Sequence, residues 1–311
     1  MKKTLCHVAC CTALTLCMSN ANAFQFYLEN GADYGGTGDQ AGSSQSTGLF
    51  DEMRDAYWST TVVTDANNDG IFSAGDTTTT TLGRYNVPQF LVGNADAGEN
   101  QITGFLPTYV ALPPPAHGPS DNNYGANWLL TFGSSNLTGT VNAFGGISYS
   151  SGTIEMLYSN AEHNEVHFMD LIVTGGGNNG IGQSLNLNGY LDIVDAVAGT
   201  EVVTGGGTTF NDLLVKDNGT TFGDDLDAAN AVQFHADQNT DPYYLNGAFK
   251  SGALTLADIV GFYGGQQGGT GVLSGKHNGS LSFVPEPATL ALLGLGLFGL
   301  GATARRNSKQ A

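Results

Sequence analysis

The stretch WLLTFGSSNLTGTVNAFGGISYSSGTIEMLY, residues 128–158, decides the fold. It reads as a meander of short β-prone runs: Trp128 to Phe132, Leu137 to Phe144, Ile147 to Tyr149 and Thr153 to Tyr158. Each is rich in Thr, aromatic or β-branched residues that suit a pleated surface. Gly145-Gly146 fits a tight two-residue hairpin between two of them. The same texture extends outward to Phe24–Leu28, Tyr57–Thr64, Thr77–Leu82, Pro88–Val92, Val166–Thr174, Ser184–Val194, Thr209–Val215, Ala231–His235, Gly271–Leu273 and Ser280–Val284. Two stretches read as helical, Leu49–Ala56 and Leu254–Tyr263. Many short strands punctuated by Gly, Asn and Asp predict an all-β domain, an antiparallel β-sandwich or jelly-roll-like ectodomain. No clean internal repeat points to a solenoid or propeller. Pro113-Pro114-Pro115 and the Gly118–Asn123 stretch read as a long surface loop, and residues 113–123 are the candidate internal boundary.

Composition excludes several classes. The 311 residues are 41% hydrophobic, 10% aromatic and only 12% charged, and 45 are Gly. So few charges do not make a long solvated helix or coiled coil, and so many aromatics do not make a disordered chain. The formal charge of −18 is wrong for a nucleic-acid binder, which needs a basic footprint.

Both ends read as export signals. Lys2 and Lys3 precede an apolar stretch, Val8 to Met18, and Ala21-Asn22-Ala23 is a small-x-small cleavage site that would leave Phe24 first. All four cysteines (Cys6, Cys10, Cys11, Cys17) lie inside this segment, so the body has neither disulfides nor a Cys nucleophile. At the other end stand Pro285-Glu286-Pro287, the uncharged stretch Ala288–Ala304, and Arg305-Arg306. As a helix that stretch would be roughly 25 Å long, slightly short for a bilayer core. The order of the three parts resembles the PEP-CTERM signal. The resemblance implies export in a Gram-negative bacterium, recognition by exosortase, cleavage near Pro285–Pro287 and delivery to the cell surface or extracellular matrix. It also implies a membrane contact only through the hydrophobic sorting helix of residues 285–311 before processing. The body between, residues 24–284, carries five basic residues against 27 acidic ones, a net −22. Such a surface repels anionic polymers and attracts divalent cations.

Asp65-Ala-Asn67-Asn-Asp69-Gly70-Ile71-Phe72-Ser73-Ala-Gly-Asp76 is the best chemical motif. Against a 12-residue calcium loop, Asp65, Asn67 and Asp69 occupy positions 1, 3 and 5, and Gly70 takes the sharp turn at 6. Ile71 offers its carbonyl at 7, Ser73 stands at 9 and Asp76 at 12. Ca²⁺ prefers six to eight hard oxygens, and acids on alternate residues of a tight turn point inward. The loop resembles that of the EF-hand, and most closely the dockerin variant that also ends in Asp. It departs from both in occurring once and in having β-prone flanks, so cohesin binding is not carried over. The alternative is an Asn/Asp-Gly turn that binds nothing.

Other candidates are weaker. His163, Glu165 and His167 would share one strand face and hold Zn²⁺ only if that strand forms. The acid clusters at Asp224–Asp227 and Asp237–Asp241 read as solvated turns, with further Ca²⁺ binding the alternative. There is no Gly-x-Ser-x-Gly, phosphate loop or dinucleotide fingerprint. The expectation is an exported, non-enzymatic structural protein among exopolysaccharide or matrix components, assisting adhesion, biofilm or floc formation. The alternatives are a carbohydrate-binding module using Tyr57, Trp58, Trp128, Tyr243 and Tyr244, and, behind it, a polysaccharide-acting enzyme.

Overall fold

The computed structural model describes residues 25–32, 47–86, 100–106, 124–125, 127–180, 184–227, 232–250 and 254–284. The signal segment, Pro88–Val92, the 113–123 stretch and the sorting tail lie outside them.

Among the described residues twelve strands form: β1 Phe26–Leu28, β2 Glu52–Thr64, β3 Thr77–Gly83, β4 Gln101–Leu106, β5 Trp128–Val141, β6 Ile147–Asn160, β7 Val166–Gly177, β8 Leu185–Ile193, β9 Leu214–Lys216, β10 Gln233–Leu245, β11 Ala248–Lys250 and β12 Thr270–Val284. Short helices among the described residues are α1 Asp195–Ala198, α2 Phe222–Asp227 and α3 Leu256–Gly261. Pairing runs β10-β12-β2-β3-β5-β6-β7-β8 and returns from β8 to β10. These eight antiparallel strands therefore close into an up-and-down barrel. β4 pairs with both β2 and β5, β11 extends β10, and β1 with β9 makes a separate two-stranded ribbon.

Closure corrects the expected sandwich or jelly roll. A sandwich keeps two open sheets, whereas here β10 pairs with β12 on one side and β8 on the other, leaving the ring no edge. The strands are also longer than expected. The Ser134-Ser135-Asn136 and Ser150–Gly152 segments, which look like turns, are irregularities within β5 and β6. The expected helix at Leu49–Ala56 is mostly β2: Met53, Asp55 and Tyr57 face inward while Arg54 faces out, a period of two. The two-residue hairpin is instead a five-residue turn, Asn142 to Gly146, between Val141 and Ile147. Thr209–Val215 begins as a 3₁₀ turn at Phe210–Asp212 before the short β9. The helix expected at Leu254–Tyr263 is present as α3.

Alternation is cleanest on β8, where Leu185, Leu187, Gly189, Leu191 and Ile193 point inward and the residues between them are exposed. Gly189 is required there. A Cβ would collide with the Ile172 carbonyl oxygen of the neighbouring strand and with the Phe234 ring. One barrel end is sealed by aromatic packing. Phe26 meets Phe50, Phe222 and Phe283 at centroid distances of 4.3, 5.3 and 5.2 Å. Trp128 stacks on Tyr158 at 5.8 Å in the same layer. Both chain ends of the barrel, Phe26 and Phe283, meet here. The opposite end, the tip, carries the 65–76 loop, the β5–β6 turn and α3. Among the described residues no helix is long and apolar enough to cross a membrane.

Candidate metal centre

The 65–76 loop joins β2 to β3, whose last and first residues, Thr64 and Thr77, are paired. It therefore stands on two strands, not between two helices. Asp65 is nearly fully buried. Its Oδ1 accepts from the Asp69 amide at 3.2 Å, and its Oδ2 from the amides of Gly70 at 2.9 Å and Gly268 at 2.8 Å. Gly70 sits at φ +78°, a left-handed conformation that costs L-residues, and so turns the chain at position 6. Asn67, Asp69 and Ser73 then close on one another. Asn67 Nδ2 donates to Asp69 Oδ2 and Ser73 Oγ, both at 2.9 Å, and Ser73 Oγ donates to Asp69 Oδ2 at 2.8 Å. The Ile71 amide donates to Asp69 Oδ1 at 2.9 Å. That bond, with those from Ser73 and Asn67, holds the Asp69 carboxyl below its ordinary range.

Asp76 is completely buried. Its Oδ2 accepts from the Ser73 amide at 2.9 Å and from the Tyr263 hydroxyl at 2.6 Å. Its Oδ1 is buried with no hydrogen-bond partner. A buried carboxylate oxygen without a donor is costly unless a cation or water meets it. Burial pushes the Tyr263 phenol strongly up, helped by Asp76, Asp65 and Asp69, so all three carboxylates lie within electrostatic reach of one hydroxyl. Phe72 anchors the loop: it is buried, packs edge-on against Phe262 at 5.1 Å, and its amide donates to the Ile259 carbonyl of α3.

The donor set suits a hard cation in part. Positions 5 and 9 bring side-chain oxygens together, position 3 turns its amide nitrogen toward them while its Oδ1 accepts from the Asp69 amide, position 1 is fixed beside them, and one Asp76 oxygen is a buried acceptor without a donor. Asp76 would ligate through one oxygen only, because the other is held by Tyr263 and Ser73. Among the described residues no group of three or more His, Cys, Asp and Glu side chains is disposed to hold a metal by itself. This loop mixes carboxylates with Asn67, Ser73 and the Ile71 carbonyl. Tyr263 and Gly268 were not legible as members, since they come from 187 and 203 residues away.

The Zn²⁺ candidate does not assemble. His163 Nε2 lies 3.0 Å from the Glu201 carbonyl oxygen, Glu165 pairs with Arg84 at 3.2 Å, and His167 meets Asp170 at 2.7 Å. Asp224 accepts from the Thr221 amide at the start of α2. Of the aromatics considered for sugar stacking, Tyr57, Trp58, Trp128 and Tyr243 are buried, and Tyr244 packs against Trp58 and Phe249. Ala21, Ala23, Pro285, Glu286, Pro287, Arg305 and Arg306 lie outside the described residues.

The barrel interior holds polar groups that the sequence did not announce. Asp55 faces a cavity of about 30 Å³ with Gln238, whose Nε2 donates to Asp55 Oδ2 at 2.8 Å. Asp55 Oδ1 and Gln238 Oε1 are both buried without partners. Burial raises the Asp55 carboxyl to about 7. Further toward the tip, Ser59 Oγ and His277 Nε2 are 2.6 Å apart beside a second cavity of about 50 Å³, and Tyr57 stacks on His277 at 4.8 Å. Burial lowers the imidazole to about 4, so it is neutral at pH 7.

This architecture is a closed antiparallel β-barrel with a carboxylate-bearing loop at its tip. Its last strand leads straight into a recognisable tail: residues 283–306 match the PEP-CTERM protein-sorting motif. The chain thus carries the signal of an exosortase-sorted, exported protein, directed to the surface or membrane-associated. Comparison with curated proteins and with solved structures gave no match.

Proposed function

We propose that this chain is a structural surface protein of a Gram-negative bacterium. Exosortase cuts it near Pro285–Pro287 and releases the barrel to the surface or matrix. There it acts without catalysis, supporting adhesion, biofilm or floc formation among exopolysaccharide. Ca²⁺ bound by Asp65, Asn67, Asp69, Ile71, Ser73 and Asp76 locks the tip loop. The observation that carries this reading is the junction itself: β12 runs to Val284 and the sorting motif spans 283–306, with no spacer between folded body and signal. The interior Ser59–His277 pair, a hydroxyl beside an imidazole among the described residues, does not weigh against that. It opens onto a cavity of about 50 Å³, room for water but not for a sugar substrate.

The test is fractionation of cells making the chain with and without Pro285→Ala, Glu286→Ala and Pro287→Ala. The reading expects a shortened surface or shed form for the first and an uncut, membrane-retained form for the second. Equal surface delivery of both would refute it. The calcium part is tested by melting the protein in Ca²⁺ and in chelator. A rise with Ca²⁺ that Asp69→Ala abolishes is expected, and no rise removes the cation from the reading.

A further inference from the structure

The tip carries a second feature, a groove of about 530 Å³ beside the loop. Phe72 and Ser73 from the loop, Asn142 and Phe144 from the β5–β6 turn, Asn179 beyond β7 and Ile259 of α3 line it. That volume falls in the range of ligand sites and is several times that of either interior cavity. Two properties set it apart from the rest of the surface. Among the described residues no charged side chain lines it, although the body carries 27 acids. At its rim the Phe144 ring is 76% exposed, yet its backbone is fixed. Asn142 Oδ1 accepts from the amides of Phe144 and Gly146, both at 3.0 Å, and Asn142 Nδ2 donates to the Asn178 carbonyl at 2.7 Å. The α3 wall is fixed too, by the Thr255–Asp258 capping box and by Lys250 on Asp258.

A solvent-facing phenyl ring on a fixed turn, beside amide and backbone groups, is a platform for a flat face with hydroxyls at its edge. Charge narrows the occupant. A body at −22 repels a second copy of itself, nucleic acid and anionic lipid, while a basic peptide would find no acid in the groove. Position agrees: the groove lies at the end of the barrel opposite Val284, about 50 Å of strand away from the sorting junction. We propose that the groove binds a neutral glycan chain, a sugar ring lying on Phe144 with its hydroxyls meeting Asn179 and the backbone of the β5–β6 turn. This rests on the reading of the protein as a surface component and names the class of polymer it holds.

The experiment presents the full chain in detergent micelles, with Ca²⁺ constant throughout, to an array of neutral and acidic glycans. Titration with the best neutral oligosaccharide follows. Binding to neutral glycans, weakened at least tenfold by Phe144→Ala and unchanged by Phe249→Ala on the outer wall, is expected. Melting temperatures should be equal for all three proteins. Undiminished binding by Phe144→Ala, preference for acidic glycans, or no neutral glycan bound would each overturn the proposal. So would concentration-dependent self-association that Phe144→Ala abolishes, which assigns the groove to a second copy. Surface delivery of Phe144→Ala, scored by protease accessibility on intact cells, should match the unsubstituted chain. Its loss in both would point to failure of the surface reading instead.

Discussion

Replacing Asp55 by Asn should stabilise the barrel above neutral pH and change little in acid. Asp55 is 6% exposed, and burial raises its carboxyl from 3.8 to about 7 against the opposing bonds from Gln238 and the Gly279 backbone. The folded state therefore holds the proton more tightly than the unfolded state. Its contribution is fully present below pH 3.8 and is lost as pH rises through 7, about 4 kcal/mol from end to end. Between pH 5 and pH 8 about 3 kcal/mol of that should disappear. Geometry gives the same sign. Asp55 Oδ1 and Gln238 Oε1 are both buried acceptors without a donor beside the 2.8 Å bond from Gln238 Nε2 to Asp55 Oδ2, and a proton on Asp55 adds a donor there. Asn offers that donor at every pH. Urea unfolding of both proteins at pH 5 and pH 8 isolates the effect, because His277 and all other groups cancel in the difference. The advantage of Asp55→Asn should grow by about 3 kcal/mol between the two, several degrees in melting temperature for a domain this size. An advantage that does not change with pH would refute the reasoning.

The His277 imidazole has the opposite sign. Lowered from 6.5 to about 4, it contributes stability that is lost as pH falls between those values, about 3 kcal/mol. His277→Gln should flatten the acid limb of an unfolding-versus-pH curve. Tyr263→Phe removes one of the two donors on Asp76 Oδ2 and should cost about 1–3 kcal/mol in chelator, measured by thermal melting. Gly189→Ala should prevent barrel closure, seen as loss of the cooperative transition. Gly70→Ala, whose Cβ would meet Gln267 only at ordinary van der Waals distance but at φ +78°, should cost only about 1 kcal/mol.

What could be read locally was read well. The alternation of β8, the Thr-rich β3 and the capped α3 carry their assignment in a few neighbouring residues. The 65–76 loop likewise declares its turn, with Gly70 at positive φ and Phe72 buried as its position requires. Non-local facts were not legible. The Leu49–Ala56 segment looks helical because its inward face includes the acid Asp55, which interior Gln238, 183 residues away, makes tolerable. Whether a string of antiparallel strands folds into two sheets or one ring depends on β8 meeting β10. Nothing within either strand states that. Ser- and Gly-rich breaks in β5 and β6 are bends of a curved wall, and they mimic turns because both need small residues.

The pairing of β12 with β2 has a consequence in time. Thirteen successive residue pairs, from Thr270↔Thr64 to Ser282↔Glu52, join strands about two hundred residues apart in the chain. Contacts so distant in sequence form late and slowly. The ring stays open, with β2 a bare edge, until the residues just ahead of the sorting motif have crossed the membrane. On the proposed reading, in which the chain is cut near Pro285–Pro287, release of the tail and completion of the barrel fall on one strand. A cut made before β12 has zipped up would free an unclosed sheet with the β2 edge bare.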